Sequence, residues 1–203
     1  ISTRDWSSDV CSSDLGMTMI VLGIFAAVTL LVFGWAVSAY NRFIRLRNMM
    51  AEAWSGIDVQ LKRRVDLVPN LVETVKGYAS HEKELFERVA ESRAQSVSAG
   101  TVKEQAAAEN ALTSSLRTLF AVAEAYPELK ANTNFLDLQK SLTEIEDQVQ
   151  MARRYYNGTV RENNVLVESF PSNLIARLSG FTKGDFFELE DEAERKAPQV
   201  RFN

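Results

Sequence analysis

No residue between Met17 and Tyr40 carries a charge, and this run of about 24 residues constrains the chain more than any other feature. At a helical rise of about 1.5 Å per residue it reaches about 36 Å, enough to cross a hydrocarbon core of about 30 Å with some tilt. Trp35 and Tyr40 stand near its C-terminal end, where amphipathic rings suit the headgroup level, and Arg42, Arg45 and Arg47 follow at once. Residues 17–40 therefore read as a single-pass transmembrane helix whose partner is the lipid bilayer. The arginines place the domain that follows on the cytoplasmic side.

A cleaved signal peptide ending at Val37-Ser38-Ala39 is the competing reading, but the apolar run is longer than the usual core of about 7 to 15 residues. A buried core helix would carry a polar face, and this run has none. Residues 1–16 contain the near-repeat Ser7-Ser8-Asp9-Val10 and Cys11-Ser12-Ser13-Asp14-Leu15 with no helical or strand period. They resemble a translated sequencing linker and read as a non-native or disordered leader, with Met17 or Met19 as the expected native start.

Downstream, apolar residues return at helical spacing, and the fold class they predict is all-α, an antiparallel helical bundle with one N-terminal transmembrane helix. Leu46, Met50, Ala53, Ile57 and Leu61 form one stripe, with Lys62 and Arg63 beside it. Pro69 lacks an amide donor, so a kink or restart is expected around Asp66 to Asn70. Leu71, Val75, Tyr78, Leu85 and Val89 make the next stripe, which stops at the turn-like Ser96-Val97-Ser98-Ala99-Gly100. Thr101 and Glu104 have the spacing of a capping box for a helix that buries Leu112, Leu116, Leu119, Ala123 and Tyr126 and ends at Pro127. Asn132-Thr133-Asn134 starts the clearest stripe, Phe135, Leu138, Leu142, Ile145, Val149, Ala152 and Tyr156, running on towards Phe170. Pro171 stops it or opens a short helix that ends at Gly180. The expected layout is thus a bundle over residues 41–180 and an acidic, partly irregular tail over residues 181–203.

Few chemical signals accompany this pattern. A net charge of −4 offers no basic field for a phosphate backbone, so nucleic acid is not an expected partner. One cysteine and one histidine, Cys11 and His81, cannot make a disulfide or a Cys/His zinc site. His81-Glu82 lacks the second histidine one turn on that a zinc-protease helix needs, because position 85 is Leu. Asn157-Gly158-Thr159 fits a glycosylation acceptor only by pattern. Glu144, Glu146 and Asp147 read as solvated surface. Arg63, Arg64 and Asp66, beside the expected break, read as charges paired inside the bundle, with exposure to a partner as the alternative. Phe181, Phe186 and Phe187, followed by Glu188, Glu190, Asp191, Glu192 and Glu194, read as aromatics packed back on the bundle, with a docking peptide as the alternative. No catalytic, cofactor-binding or metal-binding residues are assigned.

Several motifs together carry a family resemblance. They include Leu46-Arg47-Asn48, Ala53-Trp54-Ser55, Ile57-Asp58-Val59-Gln60-Leu61-Lys62-Arg63-Arg64, Asp66-Leu67-Val68-Pro69-Asn70-Leu71-Val72, Glu73-Thr74-Val75-Lys76-Gly77-Tyr78-Ala79 and Tyr126-Pro127-Glu128-Leu129-Lys130-Ala131-Asn132. From about Met17 to Asn203 the chain resembles the LemA family. One departure is Glu162-Asn163, where members often carry a Tyr-Asn pair. The resemblance implies a protein of the bacterial inner membrane with a short outside end, a cytoplasmic helical bundle, no enzymatic activity and no cofactor. It also implies a membrane zinc metalloprotease as the expected protein partner. The function expected on these grounds is a membrane-anchored adaptor or scaffold. The alternative is a membrane-shaping or envelope-organising protein.

Overall fold

The computed structural model describes residues 6–188, with side chains from Met17 onward. Among these residues there are six helices and no strand: α1 (Trp6–Lys76), α2 (Lys83–Ser98), α3 (Val102–Ala123), α4 (Pro127–Lys130), α5 (Thr133–Glu168) and α6 (Ser172–Ser179). They fall into two compact units. One comprises α1 up to Arg45 together with Val165–Thr182, and the other Leu46–Asn164 together with the residues from Lys183. The backbone of α1 is already helical at Trp6, where the sequence shows no helical period; extending an existing helix costs far less than nucleating one.

In the larger unit, α1 from Leu46, α2, α3 and α5 form the expected antiparallel bundle. Lys76 lies over the Phe86 ring while Val65 meets Arg93, so α1 and α2 run in opposite directions. Ser96 to Gln105 and Ser92 to Ser115 show the same for α2 and α3. Phe120 meets Phe135 between α3 and α5, and Trp54 against Tyr156 with Arg64 against Glu146 sets α5 antiparallel to α1 and closes the ring. Two apolar clusters fill the interior. One holds Val68, Leu71, Leu112, Leu119 and Phe135, and the other Ile57, Leu61, Val149, Val160 and Phe187.

Of the kink or restart expected around Pro69, the restart does not occur: α1 continues through it to Lys76, and the break comes at Gly77, before α2. There the amides of Tyr78 and Ala79 both donate to the Val75 carbonyl, at 3.0 and 2.9 Å. A proline within a helix leaves the carbonyl four residues back without its donor, and in α1 that group belongs to Val65. Arg93 of α2 supplies the missing donor, its Nε reaching the Val65 oxygen at 3.0 Å. Arg93→Ala is therefore expected to destabilise the fold by about 1–3 kcal/mol, the cost of orphaning a shielded carbonyl. In a Pro69→Ala background the amide of residue 69 takes over, and the same change should cost only a fraction of that. Urea unfolding of the four variants of this cycle measures the coupling; equal costs in both backgrounds would show that Arg93 acts elsewhere.

Local start and stop signals are obeyed elsewhere. Thr101 accepts from the Glu104 amide at 3.2 Å while the Glu104 carboxylate accepts from the amides of Gly100 and Thr101 at 3.0 and 3.1 Å, a complete capping box. The Gly100 amide, then the Thr101 hydroxyl and amide, hold the Glu104 carboxyl below its ordinary range. Asn132 Oδ1 accepts from the Phe135 amide at 3.2 Å and caps α5. Pro127 does not end α3, which stops at Ala123, but opens the short α4.

In the smaller unit, every side chain from Met17 to Trp35 is exposed, so nothing among the described residues covers the apolar run. By length and composition this part of α1 is a membrane-spanning helix. Burial begins at Ala39 and Phe43. Phe181 stacks on Phe43 with centroids 4.7 Å apart and meets Tyr40 edge-on at 5.7 Å. α6 ends as expected at Gly180, whose φ of 73° is the left-handed cap that glycine adopts without strain.

Candidate functional site

The apolar stripes of the bundle carry two charged residues. Arg64 lies seven residues after Ile57 and seven before Leu71, and Glu109 lies three before Leu112 and seven before Leu116. Helical spacing puts both among core positions. They are indeed buried, Arg64 at 4% and Glu109 at 0% exposure. Arg64 Nη1 is 3.3 Å from Glu109 Oε2 and equally 3.3 Å from Glu146 Oε2, and Nη2 donates to Thr113 Oγ1 at 2.8 Å. The other carboxylate oxygen of Glu109 accepts from the Ser96 hydroxyl and from Gln105 Nε2 at 3.0 Å.

Each bundle helix thus contributes to one polar layer: Arg64 from α1, Ser96 from α2, Glu109 from α3 and Glu146 from α5. It lies between the two apolar clusters. Of the cluster residues, Leu61 and Val65 on α1, Ala106 and Leu112 on α3, and Leu142 and Val149 on α5 border it on either side. The layer holds one cation and two anions, and the outer anion, Glu146, borders a cleft of about 400 Å³ whose walls include Arg117, Gln139, Thr143, Asp147 and Gln150. Both oxygens of Glu109 have donors, and at 0% exposure the carboxylate is out of reach of solvent. The layer is built to fix helices together.

A second polar construction holds the chain after α6. Residues 183–188 form neither helix nor strand, and two asparagines of α5 read their main chain. Asn164 donates to the Gly184 carbonyl at 3.0 Å and accepts from its amide at 2.8 Å; Asn157 does the same for Phe187 at 3.1 and 2.9 Å. Seven helical residues rise about 10.5 Å, and three extended residues span about 10 Å, so the two spacings match. Phe187, at 0% exposure, packs in the apolar cluster that holds Trp54 and Tyr156, meeting the Trp54 ring edge-on at 5.5 Å. The Tyr156 hydroxyl donates to the Asp185 carbonyl at 3.0 Å, and Lys103 pairs with the Asp185 carboxylate at 3.0 Å. Burial, then the negative charge of Asp185, raises the Tyr156 pKa, which keeps the phenol a donor.

The residues singled out from sequence divide accordingly. Arg64 is paired inside the bundle as expected, whereas Arg63 and Asp66 are exposed, Arg63 donating to Gln60 at 3.3 Å. Glu144 is exposed and Asp147 lies at the cleft, but Glu146 is not merely solvated surface: it is the second partner of Arg64. His81 lies exposed in the turn between α1 and α2, with Leu85 buried one turn on. Among the described residues no group of three or more His, Cys, Asp or Glu could hold a metal ion. Asn157 serves the Phe187 main chain, and Thr159 is buried with its hydroxyl on the Tyr156 carbonyl at 2.7 Å. Glu162 is exposed and Asn163 buried, so the departure from the family pattern alters the surface beside a core residue. Phe187 packs on the bundle while Phe186 stays exposed, and Glu190, Asp191, Glu192 and Glu194 lie outside the described residues. Glu109, Ser96 and Asn164 escaped the sequence reading; the signal available was a charge in register with an apolar stripe.

A helical bundle on a membrane-spanning helix, held by a buried ionic layer, defines a class of membrane-anchored helical proteins. Within that class the chain belongs to the LemA family, whose family model matches residues 53–202. It is similar to the magnetosome protein MamQ 2 of Paramagnetospirillum magneticum, with 24% identity over 198 residues, 85% of this chain and 71% of the relative. It is also similar to the magnetosome protein MamQ of Magnetospirillum gryphiswaldense, 23% identical over 199 residues with the same two shares. Protein LemA of Metamycoplasma hominis is 24% identical over 156 residues, 76% of this chain and 71% of that protein.

Proposed function

We propose that the chain is a single-pass adaptor or scaffold of the bacterial inner membrane, anchored by residues 17–40, whose bundle recruits another membrane protein on the cytoplasmic side. The observation that carries this reading is the continuity of α1. A single helix, α1, supplies both the exposed apolar run and one of the four bundle helices. Val37-Ser38-Ala39 lies within that helix rather than in an extended segment, which favours a retained anchor over a cleaved leader. The burial of Arg64 and Glu109, paired with each other inside the bundle, favours a structural and binding role over catalysis. A membrane zinc metalloprotease is the partner class that the family resemblance implies.

Protease digestion of a C-terminal tag tests the side: protection until the inner membrane is permeabilised supports the cytoplasmic placement, and earlier digestion refutes it. Photo-cross-linking from Gln150, at the cleft, in native membranes tests recruitment, and the absence of any reproducible protein adduct would remove its support. Membrane shaping or envelope organisation is the second reading, favoured by the similarity to magnetosome proteins. It requires the chain to self-associate or to remodel vesicles, which a strictly monomeric chain on unaltered vesicles would rule out.

A further inference from the structure

The inner and outer faces of α6 are reversed from what a helix in water requires. Ser172 and Ala176, four residues apart, are buried, whereas Leu174 and Leu178, also four apart, are exposed, Leu178 at 86%. At about 100° per residue Leu174 lies about 200° from both buried positions, so the apolar row points away from the rest of the chain. Phe170, in the turn just before α6, is 81% exposed as well. A helix that turned this side to water would carry polar residues there.

The place of α6 along α1 is fixed by Phe181, which follows its glycine cap and packs on Tyr40 and Phe43. These two residues mark the end of the uncharged run. Arg42 and Arg45 on α1 and Arg177 on α6 are exposed at the same end, where cations meet lipid phosphates. We propose that α6 is a second membrane contact, lying in the interface with Phe170, Leu174 and Leu178 among the ends of the acyl chains. This rests on the reading of residues 17–40 as membrane-spanning. Lipid is the fitting occupant because Phe181, directly after α6, packs on Tyr40 and Phe43 at the end of the spanning run, whose side chains are exposed from Met17 to Trp35. Short amphipathic helices bind interfaces weakly alone, but the spanning segment holds this one in place.

Full-length chain with Cys11→Ser, reconstituted in vesicles of phosphatidylethanolamine and phosphatidylglycerol, carries an environment-sensitive fluorophore on a single introduced cysteine. The four sites are Val28→Cys in the spanning run, Leu174→Cys, Leu178→Cys and Val97→Cys on α2. Emission from 174 and 178 is expected to shift to the blue and to be quenched more by shallow than by deep spin-labelled lipid. Position 28 should respond to the deep label, and position 97 should report water. An unquenched position 28 would mean that the spanning reading itself fails. Quenching at 28 with water-like emission at 174 and 178 overturns the proposal for α6 alone. A blue shift at 178 that ignores lipid quenchers but varies with protein density would assign the row to a second copy, and overturns it too.

Discussion

Arg64→Met is expected to lower the stability of the full chain in detergent by about 3–5 kcal/mol, because it strands the carboxylate of Glu109 inside the bundle. For a domain of this size that corresponds to a melting-temperature fall of roughly 6–20 °C. The effect should be asymmetric. Glu109→Leu leaves Arg64 its second carboxylate, Glu146, and its bond to Thr113, so it should cost distinctly less. Glu146→Gln, at a partly solvated position, should cost about 0–1 kcal/mol. Arg64→Met with Glu109→Leu should recover most of the loss, since a matched apolar pair of similar volume is often as stable as the ion pair it replaces. Thermal or urea unfolding of the four variants reads the cycle directly. Additive losses in the double variant would mean that the two residues stabilise the fold separately and that the layer is not a unit.

Phe187→Ala is the second large effect, expected at about 3–5 kcal/mol, the usual range for emptying a fully buried aromatic site. Its signature is local as well as global. Phe187 covers Trp54, so in a Trp6→Phe, Trp35→Phe background the variant should show red-shifted Trp54 emission and greater access to acrylamide before any unfolding. The asparagine pair predicts a further ordering. Each asparagine both donates to and accepts from the strap, so Asn157→Asp, which turns an oxygen towards the Phe187 carbonyl, should expose Trp54 more than Lys103→Ala, which removes only a surface pair. Trp54 emission unchanged in Phe187→Ala would show that the strap does not hold that site closed.

Much of this architecture is legible in the sequence because it is written locally. Thr101 with Glu104, Asn132, Pro171 and Gly180 mark helix ends through bonds to neighbours a few residues away, and the α5 stripe announces its buried face by period alone. The exceptions depend on distant residues. Pro69 breaks the local rule, and only Arg93, on another helix, makes it tolerable; Gly77, a weaker signal, is where the chain turns. Arg64 and Glu109 are 45 residues apart, and nothing near either of them names the other. Asn157 has a pattern that points to glycosylation, whereas its role depends on residue 187 lying alongside. The row on α6 is a converse case: its residues are apolar at helical spacing, and that period alone does not say that the buried side is the one carrying Ser172 and Ala176.

The ionic layer also limits how this sequence can drift. Its ionic and apolar versions are expected to be similarly stable, yet every path between them by single substitutions passes through a chain in which the Arg64–Glu109 pair is broken. The valley is shallower when Glu109 changes first, because Glu146 still holds the guanidinium while Arg64 waits its turn. A half-solvated glutamate that contributes little to stability thus decides which order of substitution a population survives, and its own loss would close that route while leaving the present protein almost untouched.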